Sequence, residues 1–241
     1  MRLQVFLSKA GVCSRRAAVG FIRSGKVSVN SKKIIEPSFK VDPEKDKVFL
    51  NGKRISPREK IYIMLNKPKG VTTTKKDRFA KKTVMDLLPR RFKHLNPVGR
   101  LDKDTTGLIL LTNDGDMINR FTHPKFNIDK TYEVKLDKEL VSSDKRMMEK
   151  GVIIDGSFTA ECRIKMRSKN EVEMTLHEGR KRQIRRMFSS VGYKVRGLKR
   201  TREGLLNLAA LPEGRWRLLT RDEIKSHLGL DNPERECKLL N

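Results

Sequence analysis

Two short runs hold only apolar side chains, Ile61-Tyr62-Ile63-Met64-Leu65 and Leu108-Ile109-Leu110-Leu111. Neither approaches the roughly 20 residues that a membrane span needs. Each reads instead as a strand of a packed core. Such runs let the chain build a core although only 37% of its residues are hydrophobic and 35% are charged. At 241 residues it accommodates one large domain, or a small domain and a medium one.

Charge narrows the partners. Fifty-five Lys and Arg against twenty-nine Asp and Glu give a formal +26, a field that draws in polyanions. Nucleic acid is the first candidate and an anionic membrane the second. A membrane-surface reader concentrates its charge on one amphipathic helix with aromatics opposite, whereas here the charge is spread along the chain, so no membrane partner is expected. The start, Met1-Arg2-Leu3-Gln4-Val5, lacks a signal peptide's apolar stretch. Cys13, Cys162 and Cys237 are far apart, odd in number and without Cys-x-x-Cys spacing. Neither a disulfide framework nor a cysteine zinc site is expected, and the expected compartment is a reducing cytoplasm.

The pattern divides the chain. Residues 1–55 carry a net +9 and read as a small module of two short helices followed by short strands. Leu3, Phe6 and Leu7 share one helical face that Gly11 ends, and Ser14 is placed to cap a second helix bearing Ala17, Ala18, Phe21 and Ile22. Its basic residues, Arg15, Arg16 and Lys26 among them, form either a solvated face or a phosphate-tracking surface. Residues 56–60 are polar and read as a linker. From 61 to 228 the pattern is rich in strands, expected at 61–65, 107–112, 131–136, 152–154, 159–166, 171–176 and 204–208. A helix is predicted over 181–191, and another near 221–228 behind a Thr220-x-x-Glu223 capping box. The tail, 229–241, is expected to be loose.

Three segments invite chemistry. In Gly99-Arg100-Leu101-Asp102-Lys103-Asp104-Thr105-Thr106-Gly107 a charged loop runs straight into an apolar strand. Neighbouring cations favour an ionised Asp102; equally, Asp102 or Asp104 serves as a turn former. Between Glu178 and Arg202 stand ten Lys and Arg against one Glu, either a solvated basic face or a nucleic-acid contact, with Arg the better reader of phosphates. Arg185 falls at the margin of the buried helix face, as a snorkelling side chain or an inserted charge partner. Tyr132 opens a predicted strand and is either a core tyrosine or a platform for a base. His94, His123, His177 and His227 lack ligand spacing, so no metal is expected.

Together these segments resemble a known family. Gly99-Arg100-Leu101-Asp102, Asp104-Thr105-Thr106-Gly107 and Leu111-Thr112-Asn113-Asp114-Gly115 are similar to the signature of the RsuA/RluB-type ribosomal RNA pseudouridine synthases. Asn66-Lys67-Pro68-Lys69-Gly70, Lys130-Thr131-Tyr132 and Gly179-Arg180-x-x-Gln183-Ile184-Arg185-Arg186-Met187-Phe188 resemble its other motifs, in family order. Ser14-Arg15-Arg16-x-Ala18, Ile22, Gly25-Lys26-Val27 and Val29-Asn30 resemble an S4 RNA-binding domain.

The resemblance implies an α+β chain: an S4-type module, then a mixed, mostly antiparallel sheet with flanking helices. It implies isomerisation of one uridine to pseudouridine in ribosomal RNA, the large subunit favoured over the small, without cofactor or metal. Asp102 becomes the essential carboxylate, Arg185 its buried partner and Tyr132 the residue that stacks on the uracil. RNA contacts fall to Lys67, Arg100, Arg180, Arg182, Gln183 and Arg186, with Arg15, Arg16 and Lys26 in the first module. The partner is ribosomal RNA or a subunit assembly intermediate, and the protein is expected to act as a monomer. The alternative is a non-catalytic RNA-binding assembly factor.

Overall fold

Ser14 and Gly11 punctuate the first fifty residues of the computed structural model, which describes residues 1–228. The tail expected to be loose lies outside the described residues. Gly11, at φ 70°, turns the chain out of α1 (Leu3–Lys9), and the Ser14 hydroxyl accepts the Ala17 N–H at 3.2 Å to cap α2 (Arg15–Arg23). Strands β1 (Val27–Val29), β2 (Lys32–Ile34), β3 (Val48–Leu50) and β4 (Lys53–Ile55) form an antiparallel sheet in the order β2-β1-β3-β4. Leu3, Phe6 and Leu7 of α1 and Ala18 and Ile22 of α2 are buried with Val27, Val29 and Val48 of the sheet. These elements belong to one unit, Met1–Ile61 with Asn113–Gly115.

The other unit, Tyr62–Thr112 and Asp116 onward, is built on a nine-stranded sheet. Its strands are β5 (Tyr62–Lys67), β6 (Asn96–Val98), β7 (Thr106–Thr112), β8 (Lys130–Leu136), β11 (Arg163–Met166), β12 (Glu171–Leu176), β13 (Val195–Glu203), β14 (Leu206–Asn207) and β15 (Trp216–Leu218). A separate ribbon pairs β9 (Ile153–Ile154) with β10 (Ser157–Phe158). The main order is β11-β12-β8-β13-β7-β5-β15, with β6 beside β7 and β14 beside β13. All neighbours are antiparallel except β13 and β7, which run parallel through Lys199 opposite Thr106 and Arg200 opposite Gly107. The mixed, mostly antiparallel sheet is therefore the expected one.

Helices α4 (Ser142–Lys150) and α5 (Gln183–Ser190) cover one part of the sheet, where Met148, Ile184, Met187 and Phe188 pack with Val134, Met174 and Leu198. Met117 and Phe121 of α3 (Gly115–Thr122) and Ile224 of α6 (Arg221–Leu228) pack on Met64, Leu108 and Leu110. The capping box before α6 is formed: Thr220 N–H donates to Glu223 at 2.9 Å, and Glu223 N–H donates to the Thr220 hydroxyl at 3.2 Å.

Several elements depart from the sequence expectations: β6, β10 and β15 fall outside the expected strands, residues 159–162 are in no strand although one is expected at 159–166, and α4, α3 and β13 have particular reasons. The pattern leaves α4 unmarked because only Met148 of its nine residues is buried, so it has no apolar stripe. Helix α3 is unmarked as well, its start hidden in the turn-like Asn113-Asp114-Gly115. The pattern marks only the beginning of β13 as extended, because five of the eight residues from Arg196 to Glu203 are charged. The strand tolerates them because Arg200 and Glu203, each 2% exposed, pair at 3.2 Å inside the sheet.

Candidate active site

Asp102 sits in a turn held from both sides. Before it, the Thr73 hydroxyl donates to the Leu101 carbonyl at 2.8 Å and lies 3.3 Å from the Leu101 N–H. After it, the Thr105 N–H closes on the Asp102 carbonyl at 3.0 Å, and Gly70 N–H donates to the Lys103 carbonyl at 2.8 Å. The turn opens on a cleft of about 600 Å³. Leu101, Leu176, Ile184 and Leu198 line its apolar part, Asp102 and Tyr132 lie in it, and Arg100, Arg180, Lys181 and Arg182 bring positive charge to it. Of the expected site residues, Asp102, Tyr132, Arg100, Arg180, Arg182 and Gln183 thus meet in one place.

Arg185 does not pair with Asp102. Its Nε lies 3.2 Å from the Asp104 carboxylate, one Nη donates to the Asp104 carbonyl at 3.1 Å, and the other to the Val195 carbonyl at 2.9 Å. Arg182 adds a two-pronged contact to Asp104, at 3.1 and 3.3 Å. The turn at Asp102 delivers Asp104, two residues on, to the start of α5, so both arginines close on that carboxylate. Partial burial alone would raise the Asp104 carboxyl, but Arg182 and Arg185 outweigh it and hold the group below its ordinary value. Arg185 therefore fastens the turn to β13 from beneath.

Lys67 corrects a second expectation. It is fully buried and touches no surface where RNA could lie. Five of the six residues of β5 are buried, and the Lys67 ammonium donates to the carbonyls of Val71 at 2.8 Å, Pro68 at 3.1 Å and Lys103 at 3.4 Å. It thus ties the segment after β5 to the turn bearing Asp102. Burial brings its pKa down from 10.5 to about 8, against the opposing pull of Asp104, Asp102 and Glu213. Between those values the unfolded chain binds more protons than the folded one, so stability from this group rises with pH through that window. At about 1.4 kcal/mol per unit the gain is on the order of 3 kcal/mol. Lys67→Met never carries the charge and is expected to lack this rise. Paired thermal melts from about pH 7.5 to 10 test it; a constant difference between the two proteins would contradict the assignment.

Other arginines are more tied than their sequence suggests. Arg180 bonds Glu178 at 3.2 Å, the Ser157 hydroxyl at 2.8 Å and the Phe158 carbonyl. Arg186 pairs with Asp155 and donates to the Lys181 carbonyl at 3.3 Å. The Gln183 amide is spent within the loop, accepting the Arg180 N–H at 3.0 Å and donating to Glu178, so it braces the cleft wall. Arg100 remains exposed at the cleft. Arg15, Arg16 and Lys26 are exposed in the first unit.

Tyr132 is half-buried and stands directly opposite Arg200 across β8 and β13. Burial pushes its phenol up, against the pull of the Arg200 guanidinium that bonds it, so the ring is neutral at physiological pH. Arg200 also donates to the Leu108 carbonyl at 2.8 Å. This Tyr132–Arg200–Glu203 chain has no counterpart in the sequence expectations. A bulge explains why: Arg200 pairs with Tyr132 but Arg202 with Thr131, so Thr201 is an extra residue. In a regular strand residues three apart face opposite ways; the insertion returns Arg200 and Glu203 to one side.

Comparisons with known proteins identify the family. A family model described as RNA pseudouridylate synthase matches residues 61–190, and one described as S4 domain matches residues 1–48. The ribosomal large subunit pseudouridine synthase B of Bacillus subtilis (strain 168) is 41% identical over 234 residues, covering 93% of this chain and 94% of that protein. The dual-specificity RNA pseudouridine synthase RluF of Escherichia coli (strain K12) is 39% identical over 227 residues, covering 93% of this chain and 77% of that protein. A crystal structure of a pseudouridylate synthase superposes with a TM-score of 0.70 at 31% identity, covering 94% of this chain and 99% of the other. With residues 61–190 matching that pattern, and relatives at 41% and 39% identity along nearly its whole length, the chain belongs to the RNA pseudouridylate synthase family.

Proposed function

We propose that the protein converts one uridine of ribosomal RNA, in the large subunit, to pseudouridine, with Asp102 as the reacting carboxylate. One observation carries the assignment within the cleft. Glu178 is spent on Arg180 and Gln183, and Asp104 beside the cleft on Arg182 and Arg185. Among the described residues, none bonds the Asp102 side chain, so it alone of these carboxylates is free to react. Names of relatives such as the B. subtilis large-subunit enzyme support the choice of RNA.

The reaction is an isomerisation, so its atoms balance without a co-reactant. The bond from C1′ to N1 of uracil breaks, the base turns, C1′ joins C5, and a proton leaves C5 while N1 gains one. Asp102 serves the first step either by attacking C1′ or by taking the C2′ proton. The neutral phenol of Tyr132 suits it to stack on the freed uracil, a contact worth roughly 1–3 kcal/mol; removing the C5 proton would require its phenolate. Extruding the target costs a few kcal/mol, least where the RNA is still unstacked. The proposed substrate is accordingly free RNA or an assembly intermediate in the cytoplasm. The proposed acting species is a monomer.

The test is carbodiimide mapping of pseudouridine on both ribosomal RNAs and on partly assembled particles. A new stop at one uridine with the wild type, absent with Asp102→Asn, is expected; no stop on any of these substrates would refute the function. In the first unit, Arg15, Arg16 and Lys26 are proposed phosphate contacts. Changing all three to Gln is expected to shallow the log–log salt dependence of RNA binding by about 2 to 3, at about 0.7–0.9 per contact. An unchanged slope would remove them from the interface.

A further inference from the structure

The loop over residues 74–82 is a built element with an unburied aromatic ring at its tip. Phe79 is 91% exposed, the most of any large hydrophobic side chain among the described residues. Its position is held by structure. Phe79 N–H donates to the Asp77 carboxylate at 2.9 Å, and the Thr74 hydroxyl donates to the Lys76 carbonyl at 3.1 Å. At the base Thr72 and Thr83 pair, with Thr72 N–H on the Lys82 carbonyl and Val84 N–H on the Thr72 carbonyl, both at 3.0 Å. The turn that Asp77 forms therefore presents the ring to water.

The ring's surroundings are cationic. Lys75, Lys76, Arg78, Lys81 and Lys82 against Asp77 give the loop a net +4, and all six are exposed. An apolar contact surface for another protein is depleted of charge at its centre. An exposed ring amid cations has instead the composition of a stacking platform, where phosphates meet the charges and a base meets the face. The loop also starts beside the reaction centre, because Thr73, which precedes it, holds the Leu101 backbone next to Asp102. Six residues of chain keep Phe79 within about 20 Å of Thr73. That puts the ring within reach of nucleotides flanking the target uridine.

We propose that this loop grips the substrate RNA beside the target uridine, with Phe79 stacked on an unpaired base and the surrounding lysines and Arg78 on phosphates. The proposal rests on the reading above that the substrate is RNA. The wild-type chain and three variants, Phe79→Ala, Phe79→Leu and Phe79→Trp, are compared on the ribosomal RNA transcript that the wild type modifies. Phe79→Ala and Phe79→Leu are expected to weaken RNA binding and raise KM by about 5- to 150-fold, with kcat within about twofold. Their salt slope should stay unchanged, because the ring carries no charge. Phe79→Trp should keep wild-type affinity. The double variant Lys81→Gln/Lys82→Gln should instead shallow the slope. Wild-type KM in Phe79→Ala overturns the proposal and leaves the loop to a protein partner; full affinity in Phe79→Leu overturns stacking. An inactive wild type would refute the functional reading, whereas an active wild type with indifferent variants refutes only this one.

Discussion

Asp102→Asn is expected to lower single-turnover pseudouridine formation by at least about 10²-fold while RNA affinity changes by no more than a few fold. The size of the loss assigns the role. Proton abstraction by a positioned carboxylate contributes about 10²–10⁴, whereas loss of a covalent nucleophile reaches about 10⁶. The fold should not interfere. The substitution is isosteric and leaves no partner unbonded, since none of the described residues bonds that carboxylate. Asp104→Asn is a contrasting control, because it takes the countercharge from Arg182 and Arg185 together. Turnover retained at about a tenth of wild type, with an unchanged melting temperature, would take catalysis away from Asp102.

Gly107→Ala is expected to be the most damaging single-methyl change in the sheet. Gly107 has φ +102°, and a Cβ there would stand 2.2 Å from the Arg200 carbonyl oxygen and 2.7 Å from its nitrogen. Both are backbone atoms of the parallel pair between β7 and β13, so no side chain can rotate away. A forced φ and a backbone clash together place the cost at about 4 kcal/mol or more. At about 2–4 °C per kcal/mol for a chain of this size, the melting temperature should fall by at least about 8 °C. Displacing Arg200 also shifts Tyr132, its cross-strand neighbour, so surviving folded protein should be slow as well as unstable. A melting temperature within about 3 °C of wild type would contradict the close approach.

What the sequence discloses follows what its patterns encode. The turn at Asp102 is legible because a charged, glycine-bounded loop breaks abruptly into Leu108-Ile109-Leu110-Leu111. Helical periodicity placed Arg185 at the margin of α5, yet periodicity describes one helix and not the carboxylate across from it, and Asp104 took the contact. Lys67 reads as a surface cation in any one-dimensional account; its burial depends on three carbonyls that only the folded turn assembles. Arg200 and Glu203 were hidden more thoroughly. Their odd spacing places them on opposite faces of an ideal strand, and only the extra residue at Thr201 brings the two charges together. Phe79 was legible as a residue but not as an exposed one, because exposure belongs to the turn that carries it.

Strand β13 also sets the order in which the machinery can come into being. Remove it from the sheet and two separate pieces remain, β11-β12-β8 on one side and β7-β5-β15 with β6 on the other. Asp102 travels with the second piece and Tyr132 with the first. Each piece then ends in an unpaired edge, β8 or β7, the kind of surface that invites pairing with a wrong strand. Apart from β15, which follows β13 in the chain, the strands of both pieces are made before residues 195–203, and the joining contacts bridge large sequence separations, which slows their formation. The first unit's sheet, by contrast, is complete within residues 27–55. During synthesis the unit proposed to hold RNA is complete before the unit that carries Asp102, and the reactive centre is among the last features to be assembled.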